Sequence, residues 1–339
     1  MERTICFDDV LLQPQYSDIK SREEISLDTE LGKEINLKVP IISAPMDTVT
    51  EEVMASSIGK LGGLGIVHRY NTVPMQCRAV EKCEQGVTVG AAVGVKGDYI
   101  ERAQELVGAG AKVICIDIAH GDHVLMRNAL DKLTAELPAW VHIMAGNVAT
   151  AGGFKRLADW GADSVKVGIG GGSICSTRVH TGHGIPTLQS VFDCAEVADQ
   201  MNVKMIADGG IKNSGDIVKA LGAGADSVML GSLLAGTAES PGFVASVPGG
   251  ERKKIYRGMA SKEAQQNWKG STSSLEGIST YVKYKGSLRD VMGELRVGIR
   301  SGFSYSGAKN LKEFQMYAKF LQQTVASERE SSTHILDRH

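Results

Sequence analysis

GAGAKVICIDIAHG (108–121), WGADSVKVGIGGG (160–172) and GAGADSVMLGSLLAG (222–236) repeat one pattern: a Gly-Ala turn ends a helix, a short apolar run follows, and the chain leaves through small and polar residues. Runs this short, rich in Val and Ile, read as strands buried on both faces. Outward from these three, similar runs lie at Val39–Ser43, Gly63–His68, Val87–Val93, Val113–Asp117, Val141–Gly146, Ser164–Gly168, Lys204–Asp208 and Asp226–Gly231, each followed by a helix-like segment. Eight such units in succession, with no second cluster of different character, predict an α/β chain of the (β/α)8 TIM-barrel class rather than a doubly wound open sheet. Residues 1–339 read as a single barrel domain, since barrels commonly exceed ordinary domain size.

Composition narrows the function classes. The chain is 42% hydrophobic and 22% charged, with a formal net charge of −2, so it can bury a large core and lacks the basic footprint of a nucleic-acid binder. A small discrete ligand fits better. No run approaches the roughly 18 apolar residues of a membrane span, and MERTICFDDV (1–10) has acidic residues where a secretory signal has an apolar core. A cytoplasmic protein without a membrane partner is expected. The six cysteines, at 6, 77, 83, 115, 175 and 194, form no CxxC pair and have no zinc-spaced histidines, so most read as small buried apolar residues.

Barrel enzymes carry their chemistry at the carboxyl ends of the strands. That rim comprises Ser43–Asp47, His68 and Arg69, Asp117–Asp122, Asn147, Gly168–Thr177, Asp208–Ile211, and Gly231 with Ser232. The polar stretch from about Phe243 to Thr280 reads as a long mobile loop, a flap spanning about 250–285. Barrels often bind phosphate through the loops after strands seven and eight, here Asp208-Gly209-Gly210-Ile211 and Gly231-Ser232, with Ser173 as a neighbouring donor. Asp208 would repel phosphate and suits a ribose hydroxyl, so a nucleoside monophosphate or similar phosphosugar is the expected ligand. Cys175 follows three glycines in GIGGGSICSTR (168–178) and lies outside any apolar run, in a loop whose N–H groups favour a thiolate. The carbonyls of the same turn suit a hard monovalent cation.

FDDVLLQP, SAPMDTVTE, GGLGIVHR, IDIAHG, MAGNVAT, KVGIGGGSICSTR, IADGGIKNSGDIVKALGAGADSVMLGS, YRGM and EGISTYVKYKGS resemble the inosine monophosphate dehydrogenase and guanosine monophosphate reductase family, from about Ile5 to Ala308. The resemblance implies a Cys175 nucleophile that attacks carbon 2 of the purine, hydride exchange with a nicotinamide cofactor, and a homotetramer. Thr177 and Glu276 match the threonine and flap glutamate of proton transfer. Ser173, Asp208, Gly210, Gly231, Ser232 and Tyr256 match phosphate and ribose positions. Gly258, Met259 and Gly277 lie near the base, and Asp117 and Asn147 near the nicotinamide. Gly170, Gly172 and Cys175 match the carbonyls of a potassium (K+) site. Gly171 departs from the family's usual GIGPGS proline, and Ser176 stands where threonine is commoner.

Within that family the residues lean toward a GMP reductase using NADPH. SKEAQQNWKGSTSSL (261–275) lacks the Arg-Tyr pair with which the dehydrogenases activate water, and a short segment joins Arg69 to Val87 where they usually carry CBS modules. ESSTHILD (330–337) instead resembles dehydrogenase C-termini, so an IMP dehydrogenase using NAD stays open. So do a non-catalytic purine-nucleotide-binding barrel and a flavin-dependent barrel.

Overall fold

The computed structural model describes residues 3–246, 249–270 and 276–331. Eight parallel strands close into a barrel: β1 (Ile41–Ser43), β2 (Leu64–Val67), β3 (Val89–Val93), β4 (Val113–Asp117), β5 (His142–Val148), β6 (Ser164–Val167), β7 (Lys204–Asp208) and β8 (Ser227–Leu230). The ring closes where Val228 of β8 pairs with Ile41 of β1. Each strand falls on a run expected from sequence, with β5 extending two residues further, to Val148. The outer helices include α1 (Glu52–Lys60), α2 (Val73–Glu81), α3 (Tyr99–Gly108), α4 (Val124–Glu136), α5 (Ala151–Asp159), α6 (Thr177–Thr181), α7 (Thr187–Met201) and α8 (Ser214–Gly222). Several start where a side chain caps them: Thr72, Thr150 and Asn213 accept from the N–H of Met75, Gly153 and Asp216. In the repeat that marked the fold, Gly110, Gly161 and Gly224 have φ of 109°, 97° and 115°, a left-handed turn that returns each helix to the sheet.

Alternation along the strands builds two cores. Ile114 and Ile116 of β4, with Val165 and Val167 of β6, face the helices. Val113, Cys115, Met144, Ile206 and Met229 face the barrel axis. At the amino ends of the strands the hairpin Thr29–Glu30/Asn36–Leu37 inserts Leu31, Ile35 and Leu37 into this inner core and closes that end.

After β8 the chain forms an antiparallel sheet, β9 (Ala245–Ser246), β10 (Arg252–Arg257) and β11 (Ser279–Lys283), with α9 (Lys262–Lys269) between β10 and β11. The sequence suggested a loop here, because RKKIYR is two-thirds charged and carries no apolar run. Pairing with β11 supplies the order instead, and Lys254 and Tyr256 alternate inward past the exposed Ile255. The buried Lys254 ammonium bonds the carbonyls of Thr237 and Ser240. Lys285 donates to those of Ser232 (2.6 Å) and Leu233 (3.0 Å). Two lysines thus fasten the flap sheet to the loop after β8. The remainder is covered by α10 (Leu288–Tyr305) and α11 (Leu311–Tyr317), where Phe303 and Phe314 stack at 4.2 Å.

Candidate active site

A cavity of about 710 Å³ opens at the carboxyl ends of the strands, enough for a mononucleotide and a second ring. Cys175 lies on its wall. The Cys175 N–H donates to Gly172 O (3.1 Å), closing a turn, and Cys175 Sγ donates to Thr177 Oγ1 at 3.2 Å. Thr177 Oγ1 in turn donates to Glu276 Oε2 at 2.7 Å, so sulfur, hydroxyl and carboxylate form one chain. The flap delivers Glu276 by its backbone: Ser176 N–H donates to Glu276 O (3.0 Å) and Ile278 N–H to Ile174 O (3.1 Å). Gly277 pairs with Cys175 in this short antiparallel contact and does not itself line the cavity. Burial pushes the thiols of Cys115 and Cys194 up to about 12 and that of Cys83 to about 11, which keeps them protonated structural residues.

Opposite the cysteine, the turns Asp208–Ile211 and Gly231–Ser232 meet Ser173 and Tyr256. Tyr256 is buried, which pushes its phenol up to about 12 against a hydrogen bond with Ser173 that pulls it down; it is a neutral donor at any physiological pH. A side chain at Gly231 would place its Cβ 2.8 Å from Tyr256 Oη, so glycine is what lets the phenol reach the loop. Hydroxyls and open backbone amides around a pocket are chemistry suited to a phosphate. Gly258 and Met259 line the same cavity; their segment is held by Arg257, whose guanidinium forks onto Asp47 (Nε to Oδ2, 2.9 Å).

Gly170 and Gly172 line the cavity beside the cysteine. The absent proline at 171 has a local cause. A Cβ there would fall 2.2 Å from Thr187 Oγ1, at the start of α7, so this chain's threonine excludes any side chain at that position. Among the described residues no cluster of His, Cys, Asp and Glu could hold a metal, a result silent on carbonyl-bound cations.

On the remaining wall Asn147 Nδ2 donates to Asp208 Oδ2 (2.9 Å) and Gly168 O (2.8 Å), with Asp117 nearby. Between the two aspartates stands Lys166, which sequence reasoning passed over. Its signal was present, since Ser-Val-Lys-Val alternates and puts the lysine on the axis side of a strand whose valines face the helices. Arg69, Tyr70 and Lys96 also face the cavity, offering two cations and a ring. Several rim candidates do not line it, His68 and Asp122 among them. His68 is buried against Glu51 (3.1 Å) and accepts from the Tyr70 N–H. Asp122 pairs with Arg156, which holds its carboxyl below the usual range.

Fold and site together define a (β/α)8 barrel with a nucleotide-sized cavity at its carboxyl rim and a cysteine on the cavity wall. A model of the IMP dehydrogenase / GMP reductase domain matches residues 4–334. An inosine-5'-monophosphate dehydrogenase of Cryptosporidium parvum is 37% identical, covering 97% of this chain and 94% of its own length. A GMP reductase of Leishmania major is 32% identical, covering 98% and 97%. The crystal structure of GMP reductase C318A from Trypanosoma brucei in complex with guanosine 5'-monophosphate superposes with a TM-score of 0.93 at 30% identity, over 98% of each chain. The chain belongs to the IMP dehydrogenase/GMP reductase family, whose members are NAD(P)-dependent oxidoreductases acting on purine nucleotides.

Proposed function

We propose that the chain is a GMP reductase, converting GMP and NADPH to IMP, ammonia and NADP. The observation that carries this reading is the Cys175–Thr177–Glu276 chain, which puts a nucleophile and a proton path on one wall of a nucleotide-sized cavity. Cys175 Sγ adds to carbon 2 of the purine, and the exocyclic amine departs with a proton passed from Glu276 through Thr177. The dinucleotide, when bound, supplies the hydride to carbon 2. The C–S bond then breaks, returning the sulfur to Cys175 and leaving IMP. Ser173, Gly210, Gly231, Ser232 and Tyr256 hold the phosphate, Asp208 the ribose, and Gly258 and Met259 shape the base pocket, with Gly277 packed behind Gly258. Asp117 and Asn147 contact the nicotinamide, and the cationic Arg69 and Lys96 suit an anionic dinucleotide.

A potassium ion fits the carbonyls of Gly170, Gly172 and Cys175; Gly172 O already accepts the Cys175 N–H but keeps a lone pair. The exposed apolar pair Ile255 and Tyr281 on the flap sheet, with Phe243, supports assembly into a homotetramer. No helix among the described residues is long and apolar enough to cross a membrane, and we place the protein in the cytoplasm.

The second reading is an IMP dehydrogenase, favoured by the 37% identity to a dehydrogenase. The missing CBS segment no longer discriminates. The L. major reductase aligns over 479 positions against 339 residues here, so that reductase carries a long insertion too. The tail 332–337, part of the dehydrogenase-like C-terminus, lies outside the described residues, as do flap residues 271–275. The Cys175–Thr177–Glu276 chain is compatible with both enzymes, and the choice of reductase over dehydrogenase therefore rests on the flap's lack of an Arg-Tyr pair. Absorbance at 340 nm separates the two: loss with GMP and NADPH supports the reductase, and gain with IMP and NAD without the first reaction overturns it.

A further inference from the structure

Lys166 is the last inward-facing residue of β6, is 1% exposed, and has no part in the chemistry above. Its ammonium bonds Asp117 and lies 3.4 Å from Asp208 Oδ2. The reach to Asp117 crosses a whole strand. Asp117 pairs with Gly146 and Gly146 with Lys166, so the three stand at one level on β4, β5 and β6. A Cβ on Gly146 would come 2.6 Å from Lys166 Cβ, and the bare glycine leaves the lane through which the lysine passes.

Burying an ammonium costs several kcal/mol unless it is paired, so such a residue points to a purpose other than stability. Burial pushes the Lys166 pKa down, but the carboxylates of Asp117 and Asp208 push it up further, and the charged form prevails. Among the described residues no other cation takes this place: Arg69 reaches the backbone carbonyl of Asp117, at 3.4 Å, rather than its carboxylate. The other titratable groups facing the cluster are Cys115 beneath it, Tyr70 near Asp117 and Tyr256 near Asp208.

We propose that Lys166 is a positioning residue that fixes the charge and aim of Asp117 and Asp208 together, and so couples the dinucleotide side of the cavity to the nucleotide side. The coupling rests on the reading that Asp117 faces the nicotinamide and Asp208 the ribose. Without the ammonium, two carboxylates would share a half-buried site, and their repulsion would raise the pKa of one of them. The Asn147 donor keeps Asp208 as the anion, so the proton settles on Asp117.

Three proteins test this: Lys166→Gln, Lys166→Arg, and the double variant Asp117→Asn/Lys166→Gln. In Lys166→Gln, kcat/KM for the dinucleotide should fall about tenfold per pH unit below the new pKa, while kcat/KM for the nucleotide changes less than about threefold. Lys166→Arg should retain the wild-type profile. A Lys166→Gln profile of wild-type shape for both substrates overturns the proposal.

A measurement independent of turnover is the thermal midpoint from pH 5 to 9. A carboxyl whose folded pKa is raised contributes stability at low pH that is lost as pH rises through that value. Lys166→Gln should therefore lose midpoint relative to wild type as pH rises, and the double variant should not. If the wild-type protein turns over no purine nucleotide, the proposed function fails while this thermal series still decides the role of Lys166. Absence of the slope sinks the proposal. Should Lys166→Gln not fold, recovery of folded protein in the double variant supports it, and failure of both refutes it.

Discussion

Replacing Glu276 by Gln tests the proton path most directly. The change keeps the shape of the side chain, and the flap's tether to the cysteine loop runs through the Glu276 carbonyl and the Ile278 N–H, neither of which is altered. What changes is the end of the 2.7 Å contact with Thr177 Oγ1, where an amide replaces a group able to give and take a proton. General acid–base assistance of this kind is worth about 10²–10⁴-fold, or roughly 3–5 kcal/mol of barrier. That loss should fall on the step that expels ammonia. Steady-state oxidation of NADPH with GMP would slow by that factor. A rapid-mixing burst with IMP and NADP, which exercises addition and hydride transfer without any amine, would keep its amplitude and change its rate by less than about threefold. A normal GMP rate together with a lost burst would refute the assignment of Glu276.

Cys175→Ala should abolish turnover by both assays at 340 nm while GMP binding by calorimetry persists, since the change leaves Ser173 intact and the other phosphate and ribose contacts lie on other loops. Gly171→Pro should cost about 1–3 kcal/mol of stability and most of the activity, and adding Thr187→Ala should recover both, because the clash is with the Thr187 hydroxyl; equal loss in single and double variants would contradict the steric account. Arg257→Met would leave the Asp47 carboxylate, 11% exposed, without its partner, for a loss of about 3 kcal/mol in urea unfolding. Burial lowers the pKa of His142 to about 4, so its neutral form is stabilising above pH 6.5 and that stability is lost as pH falls toward 4. The unfolding free energy should drop by roughly 2 kcal/mol over that window, and His142→Gln should flatten this part of the profile.

The barrel was legible because parallel strands covered on both faces must be apolar, and eight such runs with glycine-closed helices leave few alternatives. Most of the rim was legible for a related reason: polar residues that end an apolar strand have no place but the open end of the ring. What escaped notice depended on contacts rather than pattern. Lys166 is one charge in a strand, and its meaning appears only with Gly146 absent-sided on one neighbour and Asp208 on the next. His68 and Asp122 occupy rim positions but turn to Glu51 and Arg156, partners distant in sequence. The flap sheet was hidden because β10 draws its order from β11 and from lysines bonded to carbonyls, none of which leaves a hydrophobic trace.

The stopper of Leu31, Ile35 and Leu37 at the amino end of the barrel also bears on kinetics. With the base plugged and the axis packed, reactants reach the cavity from the carboxyl rim, and where one lies beneath the other they must queue to enter and to leave. Whichever lies deeper arrives first and departs last. Product-inhibition patterns would then report which of nucleotide and dinucleotide sits beneath the other, a question of depth answered by timing.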